Sequence, residues 1–410
     1  MDVMCRRFSF TPLLLLAAVL APPAIARAFD VVLNAQGEFL DAYLVNGSPF
    51  PPRVVFIDPD PPNPDDLHSR PRVGRHVNGK LCFFPKGVGH NGQFVIADDT
   101  YREACLDRRA GPQARCSVTH RGSPLYVGKD ADGWGIFRSD GKWTKRTIHA
   151  EWDFSAPEEP QGNIDPQGCA FDARGNFWGT DVGHGSPGVA DGSLLVFFPG
   201  KRKRYDTYCF VDKALGAPGM PVMDAAGNLY IPEPSLGRLT KFSPPFPSSA
   251  ADCDNPDRLV TTPPTRTRFT LTASGLGIPA GIAKVPGTDH FYIGGVIGPP
   301  IINEYDKDLL FVRTIVPANV PKNPLGIDVG SDGTVYYAEL NLDPVTFDTR
   351  CGSVSQVRFD ANGQPLPPET LGKDLLFPDG VTVVDSSRLK VNFKKLPPAP
   401  QRDPSRCGGE

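Results

Sequence analysis

The stretch Pro166-Gln-Gly-Cys-Ala-Phe-Asp-Ala-Arg-Gly-Asn-Phe-Trp-Gly-Thr-Asp181 reads as two short strands joined by a tight turn. An apolar run ends at Phe171, a polar Asp-Ala-Arg-Gly-Asn turn follows, and a second apolar run ends on a carboxylate. Gly and Asn at such a turn supply backbone conformations that other residues adopt poorly, so the segment is a hairpin.

The same module recurs at Pro218–Glu233, Pro279–Gly295, Pro324–Glu339 and Pro378–Phe393. The leading prolines are 52, 61, 45 and 54 residues apart. Four-stranded propeller blades repeat at roughly 40–50 residues, and each interval here has room for two more strands, such as Ser193–Pro199 and Tyr205–Val211. A divergent copy lies upstream in Lys80–Pro85 and Gly92–Asp98, with outer strands at Gly133–Arg138 and Thr144–His149. These make six inner hairpins. The last, Pro378–Phe393, has no outer strands after it, and Phe39–Val45 and Arg53–Ile57 at the other end have no inner ones. The expected fold is all-β: a six-bladed β-propeller closed by N- and C-terminal strands sharing one blade, which leaves no open sheet edge at the seam. The propeller domain spans 29–393, and 394–410 is a Pro-rich tail.

Residues 1–28 have a basic start, a short apolar run around Leu13–Leu20 and a small-x-small end at Ala26-Arg-Ala28. That pattern is a cleaved signal peptide, too short to span a bilayer, and it predicts a secreted or periplasmic protein with no membrane span. Eight cysteines follow the leader and no CxxC pair occurs, which reads as disulfides rather than a zinc site. Cys105–Cys116 is expected to staple a long loop, Cys82 and Cys169 either pair or stay buried thiols, and Cys209–Cys253 and Cys351–Cys407 remain. The net charge is −3, and removing a leader with Arg6, Arg7 and Arg27 against Asp2 makes the chain more acidic. A dedicated nucleic-acid binder is excluded on that ground. The one basic cluster, Lys201–Arg204, lies between two apolar runs and reads as a solvated hairpin turn.

The modules Pro166–Asp181 and Pro324–Glu339 resemble those of the NHL-repeat and gluconolactonase-like (senescence-marker-protein) propellers. The resemblance covers about Lys80 to Phe393 as short repeats. It implies a divalent metal held at one channel mouth by carboxylate and amide side chains, and metal-dependent lactone or ester hydrolysis.

The modules themselves place chemistry at the same end. The lead into a first strand and the exit from a second strand meet at one mouth of the channel. The exit positions are Asp98, Asp181, Glu233, Gly295, Glu339 and Phe393; the leads add Gln167 and Asp379, and His184 and Asn341 lie just beyond two exits. Asp98, Asp181, Glu233 and Glu339 would repel one another unless a hard cation with oxygen ligands, Ca²⁺, neutralised them. With a metal there to polarise a carbonyl or activate water, His184 and Asp379 are the catalytic candidates. The same acids also fit a purely internal role, bonded to backbone or to a neighbouring blade. The family's Asn or Asp between lead Pro and Gly is replaced here by Gln167, Ala280 and Leu325, and kept only at Asp379. His90, His184 and His290 lie near inner hairpins, as in zinc-dependent amidating lyases, but His290 sits in a turn at the opposite end from His184. Two functions therefore stand: a secreted metal-dependent hydrolase, and a non-catalytic propeller that binds a small-molecule, glycan or protein ligand outside the cytoplasm.

Overall fold

A computed structural model describes residues 29–36, 39–46, 48, 53–56, 77–86, 92–99, 132–148, 150, 166–183, 187–200, 204–254, 257–271, 274–342, 351–375 and 378–396. Residues 1–28 and 397–410 lie outside them. The described residues form six antiparallel four-stranded sheets. The chain opens with β1 (Asp30–Gln36), β2 (Phe39–Val45) and β3 (Arg53–Phe56). Blade 1 is β4 (Val77–Phe83), β5 (Gln93–Asp99), β6 (Asp132–Arg138) and β7 (Trp143–Ile148). Blade 2 is β8 (Pro166–Phe171), β9 (Phe177–Asp181), β10 (Gly192–Phe198) and β11 (Thr207–Leu215). Blade 3 is β12 (Val222–Met223), β13 (Leu229–Glu233), β14 (Arg238–Ser243) and β15 (Thr265–Phe269). Blade 4 is β16 (Ile278–Lys284), β17 (Phe291–Ile297), β18 (Ile301–Tyr305) and β19 (Phe311–Val316). Blade 5 is β20 (Pro324–Val329), β21 (Val335–Glu339), β22 (Gly352–Val357) and β23 (Glu369–Leu375), and the chain returns in β24 (Val381–Asp385).

Blade 6 has the order β24-β1-β2-β3. The two ends of the chain share it as expected, but in a different proportion. One strand comes from the C-terminus and three from the N-terminus, and Pro378–Phe393 is not a hairpin. Asp385 accepts from Ser387 N at 2.7 Å and starts a 3₁₀ turn, which ends the strand. Its second-strand partner is β1, with Asn34 opposite Val381 and Asp30 opposite Asp385. Phe393 is buried against Phe29, ring centroids 5.5 Å apart, at the underside of the seam.

Each inter-blade space holds one apolar cluster, for example Trp134, Phe177 and Phe197 between blades 1 and 2, and Val335, Tyr337 and Ile302 between blades 4 and 5. Both faces of a middle strand are therefore covered, so β9, β10, β13 and β21 are buried along their whole length and read as near-continuous apolar runs. The outermost strand β15, Thr-Arg-Thr-Arg-Phe, is mostly exposed and polar.

The repeated turn has a specific bonding pattern. Asp172 accepts from the backbone N–H groups of Arg174 and Asn176, from Asn176 Nδ2 and from Trp178 Nε1. Asp224 repeats this with Asn228 and the Tyr230 hydroxyl. Gly175 and Gly227 sit at φ 83° and 80°, where a side chain would be strained. Lys201, Arg202 and Lys203 of the basic cluster lie outside the described residues; on their flanks, between β10 and β11, Gly200 N donates to Arg204 O at 2.6 Å.

Disulfides join Cys82 to Cys169 and Cys209 to Cys253. The first links the innermost strands of blades 1 and 2; Cys351 is also disulfide-bonded. Cys105, Cys116 and Cys407 lie outside the described residues. Among the described residues no helix is long and apolar enough to cross a membrane.

Candidate functional site

Lead and exit positions share one end of the ring. Pro166 stands opposite Asp181, Pro279 opposite Gly295, and Pro324 opposite Glu339. In blade 3, Gly219 N donates to Pro232 O, the residue before Glu233. The leads of successive blades touch through a ring of glycines. A Cβ on Gly79 would strike Gln167 O, and one on Gly168 would strike Met220 and Pro221. Cβ atoms on Gly219, Gly281, Gly326 and Gly380 would meet Ala280 O, Leu325 O, Asp379 O and Gly79 O in turn. The ring closes on itself after six steps. This backbone collar is the physical reason for the glycine in the repeated lead.

Asp379 locks the collar. It is 1% exposed, and its Oδ2 accepts from Gly79 N at 2.6 Å and Gln167 Nε2 at 2.8 Å. Blades 6, 1 and 2 are thereby joined through one carboxylate oxygen. The same logic runs down the channel, where the free edges of inner strands are satisfied by neighbouring blades. Thr382 Oγ1 accepts from Leu81 N at 2.8 Å, Asp328 Oδ2 accepts from Val383 N at 2.8 Å, and Lys80 Nζ lies 2.8 Å from Asp328 Oδ1.

The exit carboxylates have defined partners. Glu233 has no exposed surface. Its Oε1 accepts from Arg238 Nε at 2.9 Å and from Thr240 Oγ1, and its Oε2 accepts from Arg238 Nη2 and Gly216 N, both at 2.8 Å. Four bonds occupy what a carboxylate can accept. Glu339 repeats the arrangement in blade 5, accepting from Ser353 Oγ at 2.5 Å and from the backbone of Lys322. Gly216 and Lys322 both lie on the segment arriving from the preceding blade, so each acid ties that segment down. Burial pushes the Glu339 carboxyl up, against the pull of the Ser353 and Lys322 bonds. Asp181 is buried, with Oδ1 accepting from Gly183 N at 3.2 Å. Asp98 is placed by its backbone alone, paired with Val77 and Gly133. Asn341 Nδ2 donates to Cys351 O at 2.9 Å. His184 and His90 lie outside the described residues. His290 is at the turn end, with Nδ1 2.7 Å from Glu304 Oε1.

These donors fit a cation unevenly. Glu233 is filled by protein donors, one of them a guanidinium, and in this arrangement does not fit a metal. Among the described residues no group of three or more His, Cys, Asp or Glu is arranged to hold one.

An apolar arc at the same mouth carried no sequence motif. Ala280, Val296 and Leu340 are buried there with Ile278, Ile297, Leu325 and Leu342 packed around them, a cluster separate from the six inter-blade cores. Its members are lead and exit residues of blades 4 and 5, scattered singly among strand residues of similar character, and only the closed ring brings them together.

No protein-family model matches the chain, and no curated protein sequence matches it. Among solved structures it is similar to a chain of a nidogen/laminin complex, at 13% identity, TM-score 0.49, covering 86% of this chain and 98% of that one. It is also similar to a gluconolactonase from Xanthomonas campestris (11% identity, TM-score 0.40, 85% and 90% covered). A virginiamycin B lyase from Staphylococcus aureus, bound to quinupristin, gives 11%, 0.44, and 85% of each chain. The strand order itself, rather than these likenesses, establishes the six-bladed propeller.

Proposed function

We propose that the protein works outside the cytoplasm as a ligand-binding propeller, with the lead-and-exit mouth as its binding face and no metal-dependent hydrolysis there. The observation that carries this reading is the bonding of Glu233. A carboxylate filled by Arg238, Thr240 and Gly216 N is an internal strut, and Glu339 repeats the same tie to an incoming segment. Glu233 and Glu339 are thus accounted for by blade assembly without a cation. Asp379, spent on joining three blades, is a strut of the same kind. Disulfides Cys82–Cys169 and Cys209–Cys253 support an oxidising compartment.

The test is turnover of a panel of aldonolactones and aryl esters by chelator-treated protein, with and without added Ca²⁺. No Ca²⁺-dependent turnover is expected. Turnover that requires Ca²⁺ and is abolished by Asp181→Asn would replace this reading with the hydrolase.

A further inference from the structure

Charge is divided across the turn end of the ring, the end opposite the mouth. Over blades 3, 4 and 5 the cations there are paired: Lys284 with Asp289, Lys307 with Asp308, Arg313 with Glu304 and Arg358 with Glu369. Acids dominate that half. Burial, and then the carboxylates of Asp224, Asp308 and Asp289, push the Tyr230 hydroxyl up.

Over blades 6, 1 and 2 the cations stand alone. Lys86, Lys142, Arg174, Arg204, Lys390 and Lys395 are exposed, and among the described residues none of the six is in an ion pair. The acids on this side are engaged. Asp140 holds Arg138, Asp172 holds its turn and Asp385 caps the turn that ends β24, which leaves Asp206, beside Arg204, as the remaining exposed acid among the described residues. Of the chain adjoining this face outside the described residues, Lys201, Arg202 and Lys203 add positive charge, and 49–52 and 87–91 contain no carboxylate side chain. In the tail Arg402 and Arg406 balance Asp403 and Glu410, and residues 1–28 carry three arginines against Asp2.

Packing makes these cations one surface. The segment after β24 crosses to blade 1, where Lys390 N donates to Ser139 O at 3.0 Å and the Arg388 guanidinium lies 4.4 Å over the Phe83 ring. Ser139 N in turn donates to Gly92 O at 2.7 Å, joining the two turns that carry Lys142 and Lys86. Phe84 then packs on Phe171 and Tyr205, with ring centroids 4.9 and 6.0 Å away, and the Tyr205 hydroxyl donates to Gly175 O at 2.8 Å. Arg174 and Arg204 are the next residues along that line.

What this surface lacks narrows the partner. Among the described residues, the exposed large apolar side chains belong to blades 3 to 5, such as Phe311 and Leu366, or to the mouth end, such as Val189. Leu389, Val391 and Leu396 pack on the core of the seam. Nothing here would enter a bilayer or form the apolar centre of a protein interface. Phe84 and Tyr205 are each 5% exposed and offer no face on which bases stack. Unpaired cations without apolar anchors draw binding energy from charge neutralisation and counterion release.

We propose that the turn end of blades 6, 1 and 2 binds an acidic polysaccharide, a hydrophilic chain whose carboxylate or sulfate groups spread along the line from Lys390 to Arg204. The face is opposite the mouth, so the proposal stands or falls apart from the ligand taken there.

The experiment titrates full-length protein into fluorescein-labelled dextran sulfate, polygalacturonate and neutral dextran of matched length, read by anisotropy. The two acidic chains bind and neutral dextran does not, and affinity falls at least about tenfold between about 50 and 200 mM NaCl. Lys142→Gln with Lys390→Gln, and Arg174→Gln with Arg204→Gln, each weaken binding by about tenfold at the lower salt. Lys284→Gln with Lys307→Gln makes the same change in net charge on the other half and stays within about twofold of the parent. The four residues replaced on the basic face are exposed, thermal melts report folding, and either pair alone carries the test. No binding of either acidic chain at the lower salt, or equal weakening in the Lys284 and Lys307 variant, overturns the proposal. Tighter binding to phosphatidylglycerol vesicles or single-stranded DNA than to both acidic chains also overturns it, in favour of a membrane or a nucleic acid.

Discussion

Arg238 grips Glu233 with two parallel hydrogen bonds, Nε to Oε1 at 2.9 Å and Nη2 to Oε2 at 2.8 Å, on a carboxylate with no exposed surface. Removing the carboxylate leaves the half-buried Arg238 guanidinium uncompensated. Glu233→Gln is expected to cost about 3–5 kcal/mol in urea unfolding. Replacing both, Glu233→Leu with Arg238→Met, should recover much of that loss. The response of the melting temperature to Ca²⁺ should be the same in Glu233→Gln as in the parent. A calcium shift present in the parent and lost in this variant would place a cation on Glu233 after all.

The collar tolerates no side chain at its narrowest steps. A Cβ on Gly326 would lie 2.7 Å from Val381 N and 2.8 Å from Gly380 Cα. These are backbone atoms of the next blade and cannot rotate away. Gly326→Ala should therefore destabilise by about 1–3 kcal/mol through overpacking, read from the unfolding midpoint. By contrast, Gly333 at a hairpin turn has open space around its Cβ position, and its φ of 86° is the only obstacle to alanine there.

Cys82 and Cys169 are 87 residues apart in sequence and join neighbouring inner strands. Closing a loop of that length in the unfolded chain corresponds to about 4–5 kcal/mol in the chain-entropy model. The paired change Cys82→Ala with Cys169→Ala should lower stability toward that amount, measured by denaturant unfolding under non-reducing conditions. A change under about 1 kcal/mol would mean that the strands are held in register without the bridge.

Glu339 makes stability depend on pH in a defined direction. Burial holds its carboxyl above the ordinary value of 4.5. An acid raised in the folded state favours folding in its protonated form; that contribution is complete below pH 4.5 and disappears as pH climbs through the raised value. The parent should lose stability from this source as pH rises from about 4.5 toward neutrality. In Glu339→Gln that component vanishes, so the difference between the two proteins should narrow or reverse as pH rises. Parallel melting curves across the range would show that Glu339 does not titrate there.

The blade count, the inner hairpins of the first five blades and the sharing of one sheet by both chain ends were legible because each rests on local chemistry: Asp172 and Asp224 holding their turns, and apolar runs such as Leu194–Phe198 buried on both faces. The partition of the closing blade was not. Asp30–Gln36 has no turn signal ahead of it, and nothing local says that its partner is Val381–Asp385 rather than Leu389–Phe393. At the mouth, sequence register located the exit acids. It gave no view of Arg238 five residues after Glu233, folded back across a hairpin to fill that carboxylate. The apolar arc was hidden for a related reason, since Ile278, Leu325 and Leu342 are neighbours only across two blades.

The single C-terminal strand in the seam also sets an order of events. Chains are made from the N-terminus, so β1, β2 and β3 exist long before the strand that completes their sheet; Asn34 waits for Gly380, 346 residues later. Until then the β1 edge has no partner, and every blade between is part of an open arc. A product that stops short of Val381 leaves the β1 edge unpaired, the feature that drives strand-to-strand aggregation. β24 thus acts as a check on completeness, because only a chain that reaches Asp385 can cover the β1 edge.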